Sequence, residues 1–198
     1  MLNHKGSEQF NATLFDGAGK ELSRFWIGDY VEQLQADRAG NLWVSYCDQG
    51  YCKTYSERGL SCYDNQGQAV APWWNCPMMD CYAMNASKDG VWLCGYEKFA
   101  IVHVGLDRCQ REWSNQVRGA IAMVGWGQKV ALYGGYEERA QHLTTLRLTS
   151  EGQAVVEGES IARLPVDSER TEVIGRGPYF HALSRGVWYR LDPRPLLR

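Results

Sequence analysis

The residues of this chain best suited to chemistry are its cysteines, its histidines and one pair of glutamates. Cys47, Cys52, Cys62, Cys76, Cys81, Cys94 and Cys109 all lie between residues 47 and 109. A structural zinc needs closely spaced thiol and imidazole pairs. Cys47/Cys52 and Cys76/Cys81 are not followed by a matching histidine pair, because His4, His103, His142 and His181 are scattered. Buried, reduced thiols are therefore expected, with no metal and no cofactor. His103, inside the apolar run AIVHVG, is expected to be a satisfied core imidazole. Glu137-Glu138 has the composition of a glycosidase pair, yet adjacent residues on a strand point to opposite faces. A solvated loop is expected there.

Other motifs each lack a required glycine. Gly17-Ala18-Gly19-Lys20 echoes a phosphate loop, but Leu14 stands where its first glycine belongs and the flanks read as a hairpin. Gly125-Trp126-Gly127 lacks the third glycine of a dinucleotide site, and Gly59-Leu60-Ser61-Cys62-Tyr63 lacks the last glycine of a nucleophile elbow. The formal net charge of -2 supplies no basic stripe for phosphate neutralisation, so nucleic acid is not an expected partner. No signal-type leader and no run of 18 apolar residues is present, and a cytoplasmic location is expected. Asn11-Ala12-Thr13 and Asn85-Ala86-Ser87 would be glycan acceptors only in a secreted chain.

The elements that would position any site repeat. GNLWVSYCDQG at 40–50 is answered by GVWLCGYEKF at 90–99 and GQKVALYGGYEER at 127–139, with Tyr46, Tyr96 and Tyr136 in matching places. Periods of this length suit four-stranded propeller blades. Neighbouring strands repeat as well. YVEQLQAD (30–37), CYAMNAS (81–87), GAIAMVG (119–125) and TEVIGRG (171–177) precede the central strands, and apolar strands with a polar, glycine-containing turn follow them at 59–70 and 142–155. With strands labelled a to d outwards from the axis, the chain reads c-d, then a-b-c-d three times, then a-b-c. Runs such as VWLCGY are apolar on both sides, as a sheet packed on both faces requires.

The expected fold is a single all-β domain over 1–198: a small β-propeller of four antiparallel blades, with an incomplete fifth as the alternative count. N-terminal strands would close the ring and remove an open edge. A β-sandwich is the competing architecture.

GDYVEQLQADRAGNLWVSYCDQGY at 28–51, with GLSCYDNQGQ after it, resembles the repeats of bacterial propellers related to the NHL and lactonase-like groups. That resemblance implies a fold, since propellers host both enzymes and binding platforms. Lactonase-like propellers hold a divalent metal at the channel mouth through Glu, Asn and Asp. Asp29, Asp80 and Glu172 stand near the starts of a strands, but no matching Asn joins them. Turn capping is their expected role.

The b-to-c and d-to-a connections carry residues that make interface anchors. The first is DQGYCKTYSER, with Asp48, Tyr51, Tyr55, Glu57 and Arg58; its counterparts carry Glu97 and Glu137, Glu138 and Arg139; the link APWWNCPMMD adds Trp73 and Trp74. Tyr, Trp and Arg dominate binding hot spots. The expected function is therefore non-enzymatic protein binding, most concretely by an inhibitor or immunity protein that covers the active site of a bacterial toxin. A lactonase-like or glycosidase-like hydrolase with its site in the central channel is the alternative, and a ligand sensor is a third reading.

Overall fold

The computed structural model describes residues 10–50, 59–70, 80–107, 109–162 and 172–197. Strands β1 (Ala12–Phe15) and β2 (Glu21–Phe25) form a hairpin. Strands β3 (Val31–Ala36), β4 (Leu42–Tyr46) and β5 (Leu60–Tyr63) form a sheet of three. Strands β6 (Cys81–Ser87), β7 (Gly90–Gly95), β8 (Ile101–Gly105) and β9 (Gln110–Trp113) form a sheet of four. Strands β10 (Ala120–Trp126), β11 (Lys129–Gly134), β12 (His142–Leu148) and β13 (Ala154–Ile161) form another. Strands β14 (Glu172–Arg176), β15 (Tyr179–Ser184) and β16 (Val187–Leu191) form the last. Each sheet is an antiparallel meander in chain order. Among the described residues, helix is confined to three short 3-10 segments, none long or apolar enough to cross a membrane.

Three of the turns share one pattern, Asp-x-x-Gly-x, at Asp16, Asp37 and Asp64. At Asp37, Oδ1 accepts the amides of Ala39 (2.8 Å) and Asn41 (2.9 Å), while Oδ2 takes Asn41 Nδ2 (2.9 Å) and Trp43 Nε1 (3.1 Å). Gly40 closes the turn at φ +86°, which L side chains rarely adopt. Asp16 and Asp64 accept the same pair of amides, two and four residues on. Burial alone would raise the Asp37 carboxyl, but the bonds from Asn41, Trp43 and the amides outweigh it and hold the group below its ordinary range.

The core is a series of sheet-on-sheet seams. Trp43, Leu60 and Cys62 pack on Met84, Val91, Leu93 and Val102. The opposite face of that second sheet gives Trp92, Cys94 and Ile101 to Met123, Val130, Leu132 and Leu146. The third sheet then turns Ala131, Tyr133 and Leu143 towards Val173, Phe180 and Ala182. Alternate residues of β7 and β11 thus serve different seams, which is why these strands are apolar throughout. The β1–β2 hairpin covers Val44, Tyr46 and Tyr63 on the far face of the first sheet. Five sheets stacked in series replace the two facing sheets of a sandwich. The first strands β3, β6, β10 and β14 converge, so the sheets radiate as blades do.

At that convergence Gln35 is buried and joins three sheets. Its Nε2 donates to Met84 O (2.9 Å) and Gly175 O (3.0 Å), and its Oε1 accepts from Ala86 N (2.8 Å). Asn85 Nδ2 donates to Gly177 O (3.1 Å). Strand β14 lies so close to β10 that a Cβ on Gly175 would fall 1.6 Å from Met123 O.

The structure adjusts several expectations. The d strand of the first full blade reduces to one bridge, Tyr63 with Ala69. Among the described residues β1 and β2 pair only with each other. Leu34, Ile174, Leu183 and Trp188 are exposed on the outer faces of the first and last sheets. His103 is not a satisfied core imidazole: it stands against Trp92 (centroids 4.2 Å), and its Nε2 has no partner among the described residues. Cys62 and Cys94 are buried free thiols, which burial pushes up to about 12, whereas the free thiols of Cys47 and Cys109 are half-buried and exposed, against the expectation of burial.

Gln35→Leu strands a buried amide and two carbonyls, and should cost about 3 kcal/mol at roughly 1–3 kcal/mol per orphaned group. Urea unfolding at neutral pH measures it, and an unchanged midpoint would contradict the role of Gln35. Burial, and then Arg111, lower the pKa of His103 below its ordinary 6.5. The fold therefore favours neutral imidazole, and stability present above that value should fall as pH drops through it. His103→Gln should flatten the part of the melting-temperature profile just below pH 6.5.

Candidate functional site

The connections that leave β4, β7 and β11 gather with the segments that enter β6 and β10. Asp48, in the 3-10 turn after β4, donates its amide to Asp80 Oδ1 (2.7 Å), and Tyr96, after β7, donates its amide to Asp80 O (2.9 Å). Tyr136, after β11, donates its amide to Arg118 O (3.1 Å). One end of three sheets is thereby linked into a continuous surface.

Four aromatic rings stand at its centre. Tyr82, the second residue of β6, has its ring centroid 5.6 Å from Tyr96, 6.2 Å from Phe99 and 6.3 Å from Tyr136. Phe99 meets Tyr96 and Tyr136 edge to face at 5.9 and 5.8 Å. These are favourable aromatic geometries, so the cluster is fixed before anything binds it. The Tyr136 and Tyr82 hydroxyls are hydrogen-bonded at 3.0 Å, and this bond, with burial and the nearby Tyr136 and Asp80 charges, raises the Tyr82 phenol above its ordinary value. Tyr96 and Tyr136 remain 46% and 44% exposed, a large apolar area for a surface that could have hidden it. Phe99 and Glu137 both sit at positive φ (50° and 56°), a conformation bulky side chains seldom take and one that marks a constrained turn.

The rim is acidic. Glu97 follows Tyr96, Glu137 and Glu138 follow Tyr136, and Asp48 and Asp80 lie beside the first sheet. Burial, and then the Asp80 charge, raise the Glu32 carboxyl above its ordinary value. Arg139 is paired with Glu159 of β13.

Of the residues expected at an interface, Asp48, Glu97, Glu137 and Glu138 are brought to this surface and Arg139 is held by the neighbouring strand. Tyr51, Tyr55, Glu57, Arg58, Trp73 and Trp74 lie outside the described residues. The aromatic cluster itself was missed. Its sequence signal was the tyrosine repeated at 46, 96 and 136, of which Tyr46 is the last residue of β4 while Tyr96 and Tyr136 fall just beyond β7 and β11. Only two of the three are available, because Tyr46 is buried, donating its hydroxyl to Ile27 O (2.6 Å) and lying 3.2 Å from Tyr63 Oη.

Possible metal ligands fall differently from the expected set. Cys47, Asp48 and Asp80 place one ligand atom each within 4.8 Å of one another, and Asp80 already accepts the Asp48 amide. Asp29 and Glu172 do not belong to that group. Cys52 and Cys76 of the cysteine pairs lie outside the described residues.

No protein-family model matches the chain, and no curated protein matches it. Solved structures do. A catalytically inactive virginiamycin B lyase from Staphylococcus aureus, determined with quinupristin, overlaps at a TM-score of 0.47 and 14% identity, over 91% of this chain and 62% of that one. The extracellular domain assigned to a one component system of B. thetaiotaomicron overlaps at 0.40 and 14% identity, over 95% of this chain and 22% of that one. The chain thus spans under two thirds of the length of the first of these and under a quarter of the second.

Proposed function

We propose that this chain is a protein-binding module and that the aromatic-acidic surface is its interface. The observation that carries the reading is the Tyr82, Tyr96, Phe99 and Tyr136 cluster, preorganised and half-exposed inside a ring of carboxylates. Rigid aromatics bury much area at little entropic cost, and acidic rims steer a basic partner into register. Tyr51, Tyr55, Glu57, Arg58, Trp73 and Trp74 extend the same surface in this reading, since they adjoin Asp48 and Asp80 in the chain. An inhibitor or immunity protein, acting in the cytoplasm by covering the basic active-site surface of a bacterial toxin, is its most concrete form. The fold in this reading is a propeller of four blades with the β1–β2 hairpin as part of the closing one, supported by the apolar faces that Leu34 on one side and Ile174 and Leu183 on the other present for closure.

The hydrolase reading ranks second. It needs carboxylates at the axis, where Gln35 and Asn85 stand.

Affinity capture from the native host's extract, with mass spectrometry, should return a stoichiometric partner that elutes as salt rises. Tyr96→Ala and Tyr136→Ala should each weaken binding by roughly 2 kcal/mol, about thirtyfold, while the protein stays folded. Binding indifferent to both substitutions would sink the assignment of this surface.

A further inference from the structure

The opposite end of the inner strands holds a second feature of contrary charge. The turns β3–β4, β6–β7, β10–β11 and β14–β15 surround a cavity of about 560 Å³, a size that ligand sites commonly have. Its lining includes Arg38, Lys88, Arg176 and Arg194 against Asp37 and Asp89. The chain as a whole carries a formal charge of -2, so this is a local inversion.

The two carboxylates do little to neutralise it. Asp37 is committed to Ala39, Asn41 and Trp43. Asp89 reaches Lys88 only at 4.0 Å, with both side chains mostly in water, where an ion pair is weak. Arg194 is satisfied by a bidentate pairing with Asp192 (2.8 and 2.6 Å). Arg38 and Arg176 have no carboxylate partner among the described residues and are left to face the cavity. A polar group also waits beneath the rim. Asn85 is fully buried between Ala86, which lines the cavity, and Gly177, which it bonds, and its Oδ1 has no partner among the described residues. Trp126, from the β10–β11 turn, adds a half-buried indole to the wall.

We propose that this axial mouth binds a small phosphorylated molecule, with the guanidinium groups of Arg38 and Arg176 gripping its phosphoryl oxygens and Lys88 adding charge. Guanidinium forks match phosphoryl oxygens in pairs, and two of them at one opening, neither with a carboxylate partner among the described residues, repel each other in a way that a dianion relieves. The site is independent of the aromatic surface, which lies at the other end of the same strands.

The test is calorimetric titration of the whole protein with inorganic phosphate, glucose 6-phosphate, AMP and citrate, each at constant ionic strength. At least one phosphate ester should bind with a dissociation constant below about 1 mM, corresponding to roughly 4 kcal/mol. Arg38→Gln and Arg176→Gln, both exposed and checked for an unchanged melting temperature, should each weaken it by about tenfold or more, as loss of a charge-assisted bond does. No saturable heat with any phosphate ester, affinity unchanged in both variants, or tighter binding of citrate than of every phosphate compound would each overturn the proposal.

Discussion

The fold depends on how closely its inner strands approach one another, and that approach depends on Gln35. A single buried amide satisfies backbone groups of β6 and β14, one of them 140 residues away in the chain. Strand edges brought together at an axis cannot all find ladder partners, and an unpaired buried carbonyl is costly. A glutamine answers this with two donors and an acceptor on one flexible arm. The glycine at 175 is the complementary concession, because β14 meets the Met123 carbonyl where no side chain fits. The outer seams of Trp43, Trp92 and Tyr133 can then fill the widening space between sheets as they radiate.

Strand register gives the repeated tyrosines different places. Tyr46 is the last residue of β4 and pairs with Val31 as Gly95 does with Cys81 and Gly134 with Ala120, whereas Tyr96 and Tyr136 lie beyond the ends of β7 and β11. The β1–β2 hairpin encloses Tyr46 with Phe25, Ile27 and Tyr63. Where Gly28 passes Tyr46 there is no space for a Cβ, which would lie 2.9 Å from the ring. Among the described residues the second and third sheets have no such cover at this end, and Tyr96 and Tyr136 lean on Tyr82 and Phe99. Function in this reading is what the repeat leaves uncapped.

Much of the fold was legible because it is local. Asp-x-x-Gly turns announce their hydrogen bonds within five residues, and strands apolar on both sides announce sheets on both sides. The d strand lost after β5 and the unpaired β1–β2 hairpin were not legible, since each depends on what lies beside it in space. Gln35 reads in the sequence as an ordinary polar position of an alternating strand, VEQLQA, and only its partners in other sheets reveal it. The acidic loop residues of the proposed interface, Asp48, Glu97, Glu137 and Glu138, were legible as loop positions, whereas its aromatic centre was not, because Tyr82 belongs to an inner strand and meets Tyr96, Phe99 and Tyr136 only in space.

Charge is distributed along three of the inner strands with a direction. The chain runs from Glu32 to Arg38 along β3, from Asp80 to Lys88 along β6 and from Glu172 to Arg176 along β14, each time from a carboxylate towards a cation. Gln35 and Asn85, which stand between the two ends, are uncharged. Opposite charges held apart at the two ends of a narrow, well-packed stack do not cancel; each keeps its own field at its own mouth, where low-dielectric walls concentrate it. A chain with a net charge near zero can in this way present one surface suited to a basic partner and another suited to an anion, without either weakening the other.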